Sequence, residues 1–269
     1  MKSCVTIALV PEITKGPWIY WESIDKSLPK AKALGFDAVE LFTPGVIDCD
    51  ELKKELEKND IALAAVGTGA GKVLKGLTLT DPDAEIRNEA ISFISEMIRF
   101  GAEFGAPAII GSMQGNVLPG GNREQSLGWL REALETLGQC ARDSGVKLIY
   151  EPLNRYESNV FNRLGDAAAF IKSLETEDVV LLADLFHMNI EEANLADAIR
   201  KAGKLVGHVH FADSNRNPVG FGHTDVTDVA AALKEIAYDG YLSAEAFPYP
   251  NPDKAAEQTI KAFKAHFAS

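Results

Sequence analysis

Short apolar runs alternate with longer amphipathic ones along the whole chain. The apolar runs predict strands at Lys2–Val10, Ala38–Phe42, Ile61–Val66, Ala108–Gly111, Lys147–Glu151, Val179–Asp184, Leu205–Phe211 and Tyr241–Ala246. The amphipathic runs predict helices at Ile24–Leu34, Cys49–Lys58, Pro82–Phe104, Arg123–Ser144, Leu164–Leu174, Leu195–Ala202, Val226–Ala237 and Pro252–Phe267. In the third of these, Ile86, Ala90, Ile94 and Ile98 recur every fourth residue and give the helix one apolar face. The strands lack a polar face, as in a parallel sheet covered by helices. Asp81-Pro82 and Asn251-Pro252 each place a capping side chain before a proline suited to the first helical position. Gly35, Gly105, Gly145, Gly203 and Gly240 each follow a predicted helix, where a left-handed residue can end it.

Eight strand–helix units in strict alternation predict an α/β fold, a (β/α)8 TIM barrel, as one domain spanning residues 1–269. An open doubly wound sheet would offer a glycine-rich phosphate turn after its first strand, and Pro11–Trp18 holds none. Gly67-Thr68-Gly69-Ala70-Gly71 follows the third strand and is expected to be a flexible loop at the barrel mouth.

With 46% apolar and 25% charged residues, the chain has ordinary globular composition. Its net charge of -12 argues against a nucleic-acid surface, which needs clustered Lys and Arg, and against an anionic membrane. Cys4, Cys49 and Cys140 are odd in number and far apart, so small buried apolar roles and a reducing cytoplasm are expected. The apolar start reads as a buried strand rather than a signal peptide, and no run is long enough to cross a bilayer.

The polar residues that interrupt the apolar strands carry the chemistry. Glu151 ends the fifth strand, Asp184 the sixth, His208 and His210 lie in the seventh and Glu245 in the eighth. In a barrel, C-terminal strand ends converge on one mouth. The intervals of 33, 26 and 35 residues are each about one strand–helix unit, which brings Glu151, Asp184, His210 and Glu245 to one level. Buried carboxylates repel one another unless a cation neutralises them. Three carboxylates and an imidazole suit one divalent metal ion, Mn²⁺ first, with Mg²⁺ or Co²⁺ as alternatives. His208 shares a face with His210 and is expected to pack below it or to orient a ligand. His187 is expected in a loop facing a substrate, His223 in the Gly220–His223 loop with either a loop-stabilising or a catalytic role, and His266 in solvent. Trp18, Tyr20 and Trp21 either cover a ligand at the mouth or pack against the first helix or a neighbouring subunit.

The runs Glu151–Glu157 (EPLNRYE), Asp184–Glu192 (DLFHMNIEE), His208–Arg216 (HVHFADSNR) and Ala244–Phe247 (AEAF) resemble motifs of the D-tagatose/D-psicose (allulose) 3-epimerase family. That family lies within the xylose-isomerase-like barrels, and the motifs fall in order over the whole chain. The resemblance implies that Glu151, Asp184, His210 and Glu245 hold a metal. It makes Glu151 and Glu245 the acid/base pair, and Glu157, His187 and Arg216 the contacts to the substrate's carbonyl and hydroxyl oxygens. Asp213 and Ala246 stand where relatives vary. A ketose 3-epimerase acting on a small sugar or sugar acid is the expectation, with self-association into a dimer or tetramer implied. Alternatives are 5-keto-L-gluconate epimerase, with Lys72, Lys75 or Arg123 meeting the carboxylate, and hydroxypyruvate isomerase or another aldose–ketose isomerase. An endonuclease-IV-like repair enzyme would assemble three metals from many histidines, whereas this chain has five in all. A non-catalytic sugar-binding barrel is the remaining class.

Overall fold

The computed structural model describes residues 1–267. Eight parallel strands close into a barrel in sequence order: β1 (Lys2–Ala8), β2 (Ala38–Phe42), β3 (Ala62–Gly67), β4 (Ala108–Ile110), β5 (Leu148–Tyr150), β6 (Val179–Asp184), β7 (Val206–His210) and β8 (Tyr241–Ala244). The expected barrel is therefore present. No helix among the described residues is long and apolar enough to cross a membrane.

Ten α-helices accompany the strands: α1 (Ile24–Leu34), α2 (Cys49–Asn59), α3 (Ala70–Lys75), α4 (Ala84–Ala102), α5 (Arg123–Asp143), α6 (Leu164–Ile171), α7 (Leu185–Glu191), α8 (Leu195–Ala202), α9 (Val226–Glu235) and α10 (Pro252–Phe267). The apolar stripe of α4 faces inward: Ala90, Ile94 and Ile98 are fully buried. Each such isoleucine contributes about 1.5–3 kcal/mol relative to exposure.

Two helices were not expected. The glycine-rich run after β3 is not a flexible loop. Gly67 ends β3, Gly69 precedes α3 and Ala70-Gly71 open it; Gly71 packs closely, since a Cβ there would lie 2.8 Å from Met113 and 2.9 Å from Phe93. The second, α7, starts directly at the end of β6, with Asp184 itself as the cap. Caps also correct two details of the sequence reading. Asp83, not Asp81, caps α4 by accepting from the Glu85 N–H at 2.8 Å, so Pro82 lies before the helix. Gly240 is absent from the left-handed glycines; a Cβ there would lie 2.5 Å from the Tyr238 hydroxyl, so close approach is its reason. Asn251 does cap α10, accepting from the Lys254 N–H at 3.0 Å. Cys4 is buried, Cys49 and Cys140 are partly buried, and all three are free thiols.

Register places the site. Residues paired across parallel strands share a face, so the barrel interior can be followed from Thr6↔Glu40 and Phe42↔Gly67 to Ile109↔Ile149, Asp184↔His210 and His210↔Ser243. The β3–β4 side presents small groups, Ala65, Gly67 and Gly111, whereas the β5–β8 side presents acids and histidines and β2 adds Glu40 and Phe42.

The loop from β7 to α9 is organised by Asp213. Its carboxylate accepts N–H bonds from Ser214 (2.7 Å), Gly220 (2.8 Å), Gly222 (2.9 Å) and Thr224 (2.9 Å). Gly222 has no room for a side chain, since a Cβ would lie 2.4 Å from the Asp213 carboxylate. Within this loop Arg216 takes a left-handed backbone, φ 60°, and its carbonyl accepts from the Phe247 N–H at 2.8 Å. Burial alone would raise the Asp213 carboxyl, but the four N–H donors outweigh it and hold it below the usual range.

A group whose folded-state pKa is depressed stabilises the fold above its unfolded value, and that contribution disappears as pH falls through the folded value. Asp213→Asn is therefore expected to lose about 2 kcal/mol or more at neutral pH. The gap from the parent should narrow below about pH 4, near the unfolded carboxyl pKa. Urea unfolding at pH 7 and pH 3.5 measures it, and a gap independent of pH would contradict this role for the carboxylate.

Candidate active site

Asp184 and His210 are the last residues of β6 and β7, while Glu151 and Glu245 lie one residue past β5 and β8. All four thus reach the mouth at one level. Their side chains converge on His210 Nδ1, which is 3.2 Å from Asp184 Oδ2, 3.4 Å from Glu151 Oε1 and 3.5 Å from Glu245 Oε2.

Each acid is held by its other contacts. Asp184 Oδ1 caps α7, accepting from the N–H groups of Phe186 (2.7 Å) and His187 (3.0 Å), which leaves Oδ2 free to face His210. Glu245 Oε2 accepts from Arg216 Nη2 at 2.6 Å, and Arg216 also reaches Glu157 Oε1 at 3.2 Å. The strand end bearing Glu151 is fixed by Gln114, which is fully buried. Its Nε2 donates to the carbonyls of Gly111 and Glu151, each at 2.9 Å, and its Oε1 accepts from the Tyr150 hydroxyl at 2.6 Å. Gly111 lies beside Glu151, and a Cβ there would sit 2.4 Å from Glu151 Oε2.

The loop after β5 is zipped onto α7. Arg155 binds Glu191 through its backbone N–H (2.7 Å), Nε (2.9 Å) and Nη2 (2.9 Å). Beside it, Asn154 meets His187, with Nδ2 2.7 Å from Nδ1. His187 is therefore not in a loop, as the sequence suggested, but on α7 and only 1% exposed. Its Nε2 points at the cluster, 3.8 Å from Glu151 Oε1 and 3.9 Å from Asp184 Oδ2.

One buried acid escaped the sequence reading. Glu40 on β2 accepts from both histidines of β7, with Oε2 2.8 Å from His208 Nε2 and Oε1 3.2 Å from His210 Nε2. A single acid inside Ala38-Val39-Glu40-Leu41-Phe42 was the available signal. His208 lies below His210 and shares its carboxylate partner.

Electrostatics follow from this crowding. Burial pushes the Glu151 carboxyl up. Burial would do the same to Asp184, but His187 and His210 beside it hold it well below the usual range. For His210, burial opposes the charged form, yet the surrounding carboxylates outweigh it and raise its pKa well above the ordinary value.

Glu151, Asp184, His210 and Glu245 each offer a ligand atom within 4.8 Å of the others, so they form a group able to hold a divalent cation. The donor chemistry fits. Three acids face one imidazole, and Glu151 Oε1 and His187 Nε2 are buried without a hydrogen-bond partner. Glu40, His208 and His210 are equally close together, but hydrogen bonds within that trio already satisfy Glu40.

A cleft of about 240 Å³ opens above the cluster, small enough for a metabolite rather than a polymer. Trp18 lines it and stacks on Phe42, with ring centroids 4.2 Å apart. Tyr20 is buried in the core, and Trp21 packs edge-on against Trp18 at 5.4 Å. Arg216 is not a surface ion pair, since its side chain is only 13% exposed. His223 is exposed, and its N–H donates to Ser214 Oγ within the Asp213 loop. His266 is half-buried near Phe267 rather than in open solvent.

The xylose isomerase-like TIM barrel family model matches residues 28–266. D-psicose 3-epimerase of Agrobacterium fabrum is 30% identical over 246 residues, covering 85% of this chain and 82% of that protein. The 3-dehydro-D-guloside 4-epimerase of Escherichia coli is 30% identical over 242 residues, covering 86% of this chain and 90% of that protein. The crystal structure of D-psicose 3-epimerase with D-tagatose from Clostridium cellulolyticum H10 superposes with a TM-score of 0.80 at 22% identity, covering 100% of both chains. The chain thus belongs to the xylose isomerase-like TIM barrel family, and its relatives there are sugar epimerases of the isomerase class.

Proposed function

We propose that this protein is a metal-dependent ketose 3-epimerase in which Glu151 and Glu245 exchange a proton with the carbon beside the substrate's ketone. The observation that supports it best is that two glutamates from the ends of β5 and β8, Glu151 and Glu245, both come within 3.5 Å of His210 Nδ1 and line one small cleft. Epimerisation breaks a C–H bond, and its electron pair moves to the neighbouring carbonyl oxygen to give an enediolate. In the proposed reaction one glutamate takes the proton from one face, and the other, protonated, returns one from the opposite face, which inverts the centre. A divalent cation held by Glu151, Asp184, His210 and Glu245 supplies Lewis-acid stabilisation of the developing negative charge.

The rest of the site serves orientation. Burial raises the Glu151 carboxyl, which favours its taking up a proton. Arg216, bonded to Glu245, holds that side chain over the cleft and offers a charged donor to a substrate oxygen. Glu157 and His187 present an acceptor and a donor to the hydroxyl end. Trp18 closes the cleft and excludes water that would otherwise exchange with the transferred proton.

A keto acid is the second substrate reading, and Lys72 is the observation behind it. Of the three candidate cations, Arg123 donates to the carbonyls of Asn159 and Val160, and Lys75 lies over the Phe93 ring. Lys72 on α3 is half-buried, has no ion-pair partner among the described residues, and lies close enough to Glu157 to feel its charge.

Turnover of ketohexoses and of 5-keto-gluconate in D₂O with Mn²⁺ present should place deuterium at the inverted carbon. Glu151→Gln and Glu245→Gln should each lose about 100-fold or more of turnover. Deuterium at the adjacent carbon instead would indicate an aldose–ketose isomerase, and no deuterium in any substrate would refute the proposal. Glu40→Gln should weaken Mn²⁺ binding about 10- to 100-fold by calorimetry, through loss of His210 orientation. Gly111→Ala should displace the Glu151 carboxylate and lower turnover while leaving the melting temperature nearly unchanged. A Gly111→Ala enzyme with full turnover would count against Glu151 as the proton carrier.

A further inference from the structure

The contacts of Asn154 settle which nitrogen of His187 carries hydrogen. Asn154 Oδ1 accepts from the Tyr156 N–H at 2.9 Å, so its Nδ2 must be the amino group facing His187. That group has an acceptor for each of its two hydrogens: Glu157 Oε1 at 3.1 Å and His187 Nδ1 at 2.7 Å. The Asn154 backbone N–H points at the same Nδ1 from 3.2 Å. Two donors converge on one ring nitrogen, and a proton there would meet both of them. Nδ1 is therefore an acceptor, and the ring proton sits on Nε2. Nε2 in turn is buried, lacks a partner, and points into the cleft beside Glu151 and Asp184.

We infer that Asn154 is a positioning residue that locks His187 in the Nε2–H tautomer, so that His187 can only donate a hydrogen bond to a substrate oxygen and cannot act as a base. The second half rests on the epimerase reading above. The lock keeps proton transfer confined to the two glutamates. A base at position 187 would compete with them on the face of the substrate nearest Glu151. Arg155, clamped to Glu191 on the same helix as His187, keeps Asn154 and the ring in register. An acidic residue at 154 would reverse the arrangement, because a carboxylate favours a proton on the nitrogen it faces.

The test reads the tautomer directly. Protein labelled with ¹⁵N-histidine and loaded with Mg²⁺ gives long-range ¹H–¹⁵N correlations, with the His187 signals assigned by their loss in His187→Gln. The expected result is one proton at Nε2 in the parent, and a proton on Nδ1 in Asn154→Asp, with Asn154→Ala in between. Metal affinity should be unchanged in both variants, since Asn154 touches none of the four ligands. With the best substrate of the panel, Asn154→Asp should lower kcat/KM at least about tenfold, the effect of losing one buried donor. In a His187→Gln background, where the glutamine amide donates whatever faces it, Asn154→Asp should add little further loss. A parent protein protonated at Nδ1, or an Asn154→Asp signal identical to the parent, overturns the lock. A moved proton with unchanged kcat/KM overturns the donor role. The spectra need no substrate, so a chain that turns over none of the panel would refute the epimerase reading while the tautomer result still decides the lock.

Discussion

Everything around the mouth of this barrel answers one constraint: Glu151, Asp184 and Glu245 are brought together on a single imidazole with little water to separate them. Like charges at such distances repel strongly in a low-dielectric setting. The structure resolves this by giving each acid a second, fixed contact. Asp184 divides its oxygens between a helix start and His210. Glu245 is matched by Arg216. Glu151 is held from behind, through a backbone that Gln114 and Tyr150 fix, and keeps one oxygen unpartnered. That residual imbalance of negative charge leaves a group able to hold a cation rather than a closed hydrogen-bond network.

The same constraint reaches outward. Arg216 must approach Glu245 from a loop, so the loop needs its own anchor, and Asp213 supplies it with four backbone bonds. His210 must present Nδ1 upward, so its Nε2 needs an acceptor below, and Glu40 supplies it from the far side of the barrel. Substituting Asp213 or Glu40 therefore disturbs groups neither of them touches, because each acts by holding a residue that faces the cleft.

The four converging residues were legible in the sequence because topology fixes them: any acid or histidine ending an apolar strand must arrive at the mouth, and unit spacing sets its level. Glu157, Arg216 and His187 came from resemblance, and the structure gathers them around the same cleft. What stayed hidden shares a different character. Glu40 is one acid within a strand whose partners are 168 and 170 residues away, and nothing local announces them. Helices α3 and α7 are short, and α3 follows a glycine-rich run, so propensity argued against it; its one glycine, Gly71, fits closely against Met113 and Phe93. Asp213 looked neutral because its partners are backbone groups, which carry no residue signature.

The interior is lopsided, and the lopsidedness gives the cleft its direction. Acids and histidines fill the β5–β8 side and Glu40 stands on β2, whereas Ala65, Gly67 and Gly111 leave the β3–β4 side open. Trp18, Phe42, Thr68 and Val73 line the wall of the cleft opposite the acids. In the proposed reaction Glu157, His187 and Arg216 would meet the substrate from the β5–β8 side, and the opposite wall would meet the rest of it. Relatives named for 3-epimerisation and for 4-epimerisation are equally similar to this chain, each 30% identical. The proposed reaction fits that: the proton-transfer groups would stay fixed while the open side, with α3 and the first loop at its rim, would set which carbon of which sugar lies between the two glutamates.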